Sequence, residues 1–154
     1  MIASGRVWPM TTTRTLIGLA SVVAVAFVAG GCGSDDAAGV TDASAVEATS
    51  WTLEEISGEA IPDGVEVTLE YDGERISGNG GCNQYSGGAT FDDGTVTIDA
   101  ELMSTMMACE DPAAAVEGQY LEALPRAAGF VVEDGELRLT DGDDEPLLTF
   151  GTTE

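Results

Sequence analysis

The chain has 154 residues, room for one domain and little more. Its 28 Asp and Glu oppose 5 Arg, with no Lys and no His, for a formal net charge of −23. That balance excludes a nucleic-acid binder, which needs a basic patch, and every His-dependent triad, acid–base pair or metal site; the 44% hydrophobic content excludes a wholly disordered chain.

Arg6 and Arg14 precede an uncharged apolar run from Leu16 to Val28, followed by Ala29-Gly30-Gly31-Cys32. A basic start, an apolar stretch shorter than the ~20 residues of a membrane span, and small residues before a cut read as a secretory signal. With a Cys at the cut, the segment resembles a bacterial lipoprotein signal, although Ala29 stands where that pattern prefers Leu, Val or Ile. The resemblance implies a signal peptide over 1–31 and lipidation of Cys32, by a diacylglyceryl group and an amide-linked chain such as palmitate. It places the protein outside the cytoplasm, held on the cell membrane, or on the outer membrane of a two-membrane cell, through the lipid on Cys32. A plain signal peptide or an uncleaved anchor is the alternative. All the acidic residues follow Cys32, so lipid, not charge, would do the anchoring.

From Gly33 to Ser50 the larger apolar residues are Val40 and Val46 alone. Residues 32–50 therefore read as a flexible acidic tether. The folded domain is expected over 51–150, with 151–154 as a tail. Trp51-x-Leu53-x-x-Ile56 opens it, and Val65 to Tyr71 alternates apolar and polar, the period of a half-buried strand. Asp72-Gly73, Asp93-Gly94, Asp134-Gly135 and Asp141-Gly142 each stand between strand patterns, the strongest short hairpin signal. Seven or eight strands follow, joined mostly as hairpins, in a sheet curled on itself. One helix is expected after Asp111-Pro112, with Val116, Tyr120, Leu121 and Leu124 on its apolar face, Glu117 and Glu122 turned away, and Pro125 at its end. The fold class is α+β: a single small domain with a curved, barrel-like antiparallel β-sheet packed around one α-helix that plugs its open side.

Two further motifs stand out: Gly78-Asn79-Gly80-Gly81-Cys82-Asn83 and Thr105-Met106-Met107-Ala108-Cys109. With the opening Trp51-x-Leu53-x-x-Ile56-x-Gly58 they resemble the META domain family, also called HslJ-like. The matching motif residues are Gly80, Gly81, Cys82, Asn83, Thr105, Met107, Ala108 and Cys109. The resemblance implies a small α+β fold in an envelope or secreted protein. It implies little about activity beyond links of some members to stress tolerance or motility. Physically, the glycines fit a bulge or a close backbone approach better than a phosphate loop, since no Lys follows at Walker spacing. Asn83 reads as a turn residue bonding to nearby backbone. In an oxidising compartment, two thiols in the paired motifs read as a Cys82–Cys109 disulfide, with two buried free thiols as the alternative.

No catalytic residue is assigned. A Cys nucleophile lacks a His base. The run Asp141-x-Asp143-Asp144-Glu145 fails the calcium-loop spacing, since its sixth residue is Pro146 and its twelfth Thr152. No metal, cofactor or nucleic acid is expected. The expected function is that of a non-enzymatic cell-envelope lipoprotein whose domain binds an envelope protein or the cell wall. The alternative is an apolar-ligand pocket inside the curled sheet, lined by Trp51, Met103, Met106, Met107, Tyr120 and Phe130.

Overall fold

The fold is that of a computed structural model, which describes residues 39–47 and 49–153; the signal segment 1–31, Cys32 and residues 33–38 lie outside the described residues. In chain order the elements are α1 (Ala43–Glu47), β1 (Trp51–Ile56), β2 (Glu59–Ala60), β3 (Thr68–Tyr71), β4 (Arg75–Asn79), β5 (Gln84–Asp92), β6 (Thr95–Ile98) and β7 (Met103–Ser104). They continue with α2 (Ala113–Ala123), β8 (Gly129–Glu133), β9 (Glu136–Thr140) and β10 (Pro146–Thr152).

Antiparallel pairing runs full circle through eight strands in the order β1, β3, β4, β5, β6, β8, β9, β10, and β10 returns to β1. β2 and β7 are two-residue additions on β1 and β5. The barrel-like sheet is as expected, but the protein is mostly β with little helix. Because β1 and β10 pair from Trp51↔Thr152 to Ile56↔Leu148, the sheet closes on its own hydrogen bonds and leaves no open side to plug. The same pairing takes Gly151 and Thr152 into β10, so the expected tail is strand through Thr152.

Sequence patterns and strands agree where one face is apolar. Val67, Leu69 and Tyr71 turn inward from the 65–71 stretch, as do Leu137 and Leu139 from β9. In β1, Trp51, Leu53 and Ile56 are buried although the spacing skips from two to three; a bulge between Leu53 and Glu55 absorbs the extra residue. All four Asp-Gly pairs stand between strands that pair antiparallel, and two of them are two-residue turns with both φ positive. Asp93-Gly94 has φ 45° and 79°, Asp134-Gly135 has φ 52° and 81°, and both link directly paired strands by two residues. The other two are side-chain turns instead. Asp72 Oδ1 accepts from the N–H groups of Glu74 (3.1 Å) and Arg75 (2.8 Å), and Asp141 Oδ1 from those of Asp143 (2.9 Å) and Glu145 (3.0 Å). These donors hold both carboxyls below the usual carboxylate range, so each turn keeps its full strength above that range and weakens as the pH falls from it through the lowered folded value.

The ordered domain begins earlier than Trp51. Val40 and Val132 exchange backbone hydrogen bonds of 2.6 and 2.8 Å, and Gly94 N–H donates to Thr41 O at 3.0 Å. This patch continues the line of β6, which meets β8 at the single pair Thr95↔Gly129. Val46, on α1, is fully buried, and the Trp51 indole N–H donates to its carbonyl at 3.1 Å. Residues 39–47 are thus not tether: a composition poor in apolar residues still supplies one strand patch and one core side chain. Val46→Ala is expected to cost about 2 kcal/mol, two methyl groups plus the cavity left behind. Urea unfolding measures it, and a cost near zero would return the segment to a tether.

α2 packs against β1 and β10 and adds Val116, Tyr120 and Ala123 to the core that the inward strand residues form. Its cap differs from the expectation. Pro112 occupies the N-cap with no side-chain bond, and Asp111 precedes it.

Candidate functional site

The two motifs meet. Gly80 to Asn83 link β4 to β5, residues 105–109 follow β7 on the way to α2, and a Cys82–Cys109 disulfide joins them. Gly81 lies at φ 116°, a conformation that side-chain-bearing residues rarely adopt. Gly78 permits a close approach: a Cβ there would stand 2.0 Å from the Thr68 carbonyl oxygen.

Asn83 stands in the β4–β5 turn as expected, but its side chain does not serve the nearby backbone. It is 5% exposed and bonds across the fold. Its Oδ1 accepts from Met107 N–H (2.7 Å) and the Thr105 hydroxyl (2.9 Å). Its Nδ2 donates to Glu117 Oε1 (2.8 Å) and lies 3.2 Å from Cys109 Sγ. Glu117, expected to face solvent, instead faces the motif; its Oε2 accepts the N–H groups of Asn83 (2.6 Å) and Cys82 (3.3 Å). Of the residues in this clamp, Glu117 is the one sequence reasoning missed. Its one signal was its place beside Val116, at the border of the helix's apolar stripe.

The clamp fixes the loop that follows β7, and β7 and that loop carry unusual side chains. Met103, Met106 and Met107 are 70, 97 and 61% exposed, three of the four large hydrophobic residues on the described surface, the fourth being Val40. Trp51, Tyr120 and Phe130 are buried in the core instead. The six residues expected to line one interior pocket are therefore split between inside and outside.

Beside the loop lies an open cleft of about 600 Å3 on the outer face of β3, β4, β5 and β7. Strand register builds its floor in two rows. Glu70, Ser77, Ser86 and Met103 stand opposite one another across four strands. Thr68, Asn79, Gln84 and Thr105 form the next row, tied by Asn79 N–H to Thr68 Oγ1 (3.0 Å) and Gln84 N–H to Thr105 Oγ1 (3.1 Å). Most of its lining residues carry a hydroxyl or an amide, and a second hollow sharing Glu70 and Ser77 extends it toward Glu47 and Asp72.

Under the cleft, Tyr85 OH donates to Thr68 O at 3.0 Å, so the fully buried Tyr120 must donate to Tyr85 OH, 2.6 Å away. Burial pushes both phenols above their ordinary range, and they stay protonated. Tyr85→Phe is expected to cost about 2 kcal/mol, because it strands the Tyr120 hydroxyl, and Tyr120→Phe about 1 kcal/mol, because Tyr85 keeps Thr68 O. Chemical denaturation of both variants checks the order; a reversed order would reverse the donor assignment. Among the described residues no three Asp, Glu or Cys side chains converge as a metal site.

Comparison with known proteins agrees with this geometry. The family model for the META domain matches residues 44–154. An NMR structure of a protein from Burkholderia xenovorans has a TM-score of 0.58 and 30% identity, covering 71% of this chain and 85% of its own. A second NMR structure has the same TM-score, 0.58, at 22% identity over 73% and 95%, a likeness of fold alone. No curated protein matches.

Proposed function

The chain belongs to the META domain family, and we propose that it is a non-enzymatic, lipid-anchored envelope protein whose domain acts as an interaction module. The observation that carries this reading is the methionine loop, with Met106 97% exposed on a backbone pinned by Asn83 and a disulfide. A fixed loop has little ordering entropy left to lose on binding. Methionine side chains adapt to varied apolar surfaces. A chain without His or Lys supports the non-enzymatic part.

Acylation at Cys32 would put lipid seven residues before Gly39, a reach of at most about 25 Å. The barrel would then work close to the membrane and not at the end of a long leash.

The test is a photo-crosslinker at position 106 in cells, with one at Glu145 as the remote control, under ordinary growth and under stress. A reproducible adduct from 106 alone is expected. No adduct, or the same ladder from both sites, would overturn the module. Fractionation of Cys32→Ala cells tests the anchor, which fails if retention and mass are unchanged. A hydrolase screen tests the non-enzyme claim, which fails if turnover disappears on replacing one Asp or Glu.

A further inference from the structure

We infer that the cleft on β3, β4, β5 and β7 takes an extended segment of a partner protein that carries a Lys or Arg four residues from an apolar side chain. The inference rests on the reading of the domain as an interaction module.

The row Glu70–Ser77–Ser86–Met103 crosses the sheet at right angles to its strands, with a carboxylate at one end, a thioether at the other and two serines between. Three interstrand steps of ~4.8 Å put the ends about 14 Å apart. An extended chain advances ~3.4 Å per residue, so side chains four apart are also separated by about 14 Å. An even spacing keeps both on the same face. The small hydroxyl floor leaves room for a backbone and offers it hydrogen-bond partners.

Charge sets the polarity. Ser50 Oγ donates to Glu70 Oε1 at 3.1 Å, and Glu47 and Asp72 line the adjoining hollow. Arg75 is the cation beside the cleft, its guanidinium 3.5 Å from Ser86 Oγ, and Asp72 lies within its electrostatic reach. Glu70 and Glu47 remain to receive a cation. At the far end Met103 is 70% exposed. With a net charge of −23, the chain as a whole attracts basic partners and repels acidic ones.

The probe is the blocked, fluorescently labelled peptide Gly-Lys-Ser-Gly-Ser-Leu-Gly, measured by anisotropy on the full chain in neutral detergent at low salt. It is expected to bind at least tenfold more tightly than the same peptide with Glu for Lys, and about three- to fivefold more tightly than one with Lys and Leu three apart. Glu70→Gln is expected to weaken it about three- to fivefold, the ceiling for one exposed ion pair. Met103→Ser should weaken it similarly, and Glu145→Gln on a remote turn not at all. Equal binding of the Lys and Glu peptides, indifference to spacing, or equal losses from Glu70→Gln and Glu145→Gln would each overturn the inference. Such a failure leaves the adduct at position 106 intact. Loss of that adduct with peptide binding retained would count against the cellular module and not against the cleft.

Discussion

The double variant Cys82→Ser/Cys109→Ser is expected to lose about 3.6 kcal/mol of stability, the loop-closure entropy that a bridge over this separation removes from the unfolded chain. The bridge spans 27 residues of sequence. For a barrel of this size the loss corresponds to a fall in Tm of about 15 °C. It is a large share of the 5–15 kcal/mol that domains usually have. Thermal unfolding measures it, with reductant as the internal control: reducing the parent should reproduce the variant, and reducing the variant should change nothing. A loss under about 1 kcal/mol would mean that Asn83 alone holds the methionine loop. The variant also bears on function. With the bridge gone the loop is tied by Asn83 and by β7, and the adduct at position 106 should weaken with it.

Asn83→Asp is expected to cost about 4 kcal/mol at neutral pH, although it changes one atom. The amide nitrogen that donates to Glu117 Oε1 at 2.8 Å becomes a carboxylate oxygen, and two negative charges then face each other in a half-buried site. The sign with pH follows. In the folded variant the pair holds a proton more tightly than either carboxyl does when unfolded. The deficit is therefore full above the raised folded value and disappears below the ordinary carboxylate range. Unfolding measured between pH 7 and pH 4 should show the variant closing on the parent. Adding Glu117→Gln supplies a new donor to the carboxylate introduced at position 83 and keeps an oxygen for the backbone N–H groups of residues 82 and 83. It should recover about half the loss. A pH-independent deficit, or no rescue, would remove Glu117 from the clamp.

Much of the domain was legible because its information is local. The alternation of Val67, Leu69 and Tyr71, and the Asp-Gly pairs at 93–94 and 134–135, each state their conformation within a few residues. The paired Gly-Gly-Cys-Asn and Thr-x-Met-Ala-Cys motifs placed the disulfide. Asn83 and Glu117 were misread for the opposite reason. The side chain of an Asn in a glycine turn most often bonds to nearby backbone, and a Glu on an amphipathic helix most often faces water. Their partners lie 22 to 35 residues away, a distance that no local pattern spans. The cleft was invisible too, since Glu70, Ser77, Ser86 and Met103 become a row only through strand register.

The sequence by itself determined an acidic, His-free and Lys-free chain, the hairpin-linked β meander and the helix α2, and it favoured the pairing of Cys82 with Cys109. Tertiary structure decided three things. The curled sheet closes through β1 and β10, so the helix supplements the core without sealing it. Residues 39–47 belong to the domain, because the seam beside β6 leaves backbone groups of Val132 and Gly94 that Val40 and Thr41 satisfy. The methionines read as pocket stand on the surface, because Asn83 and the disulfide hold their loop outside a barrel already filled by Trp51, Tyr120 and Phe150. Each depends on which distant backbone edges run short of partners, a quantity set by the closed barrel and not by any stretch of chain.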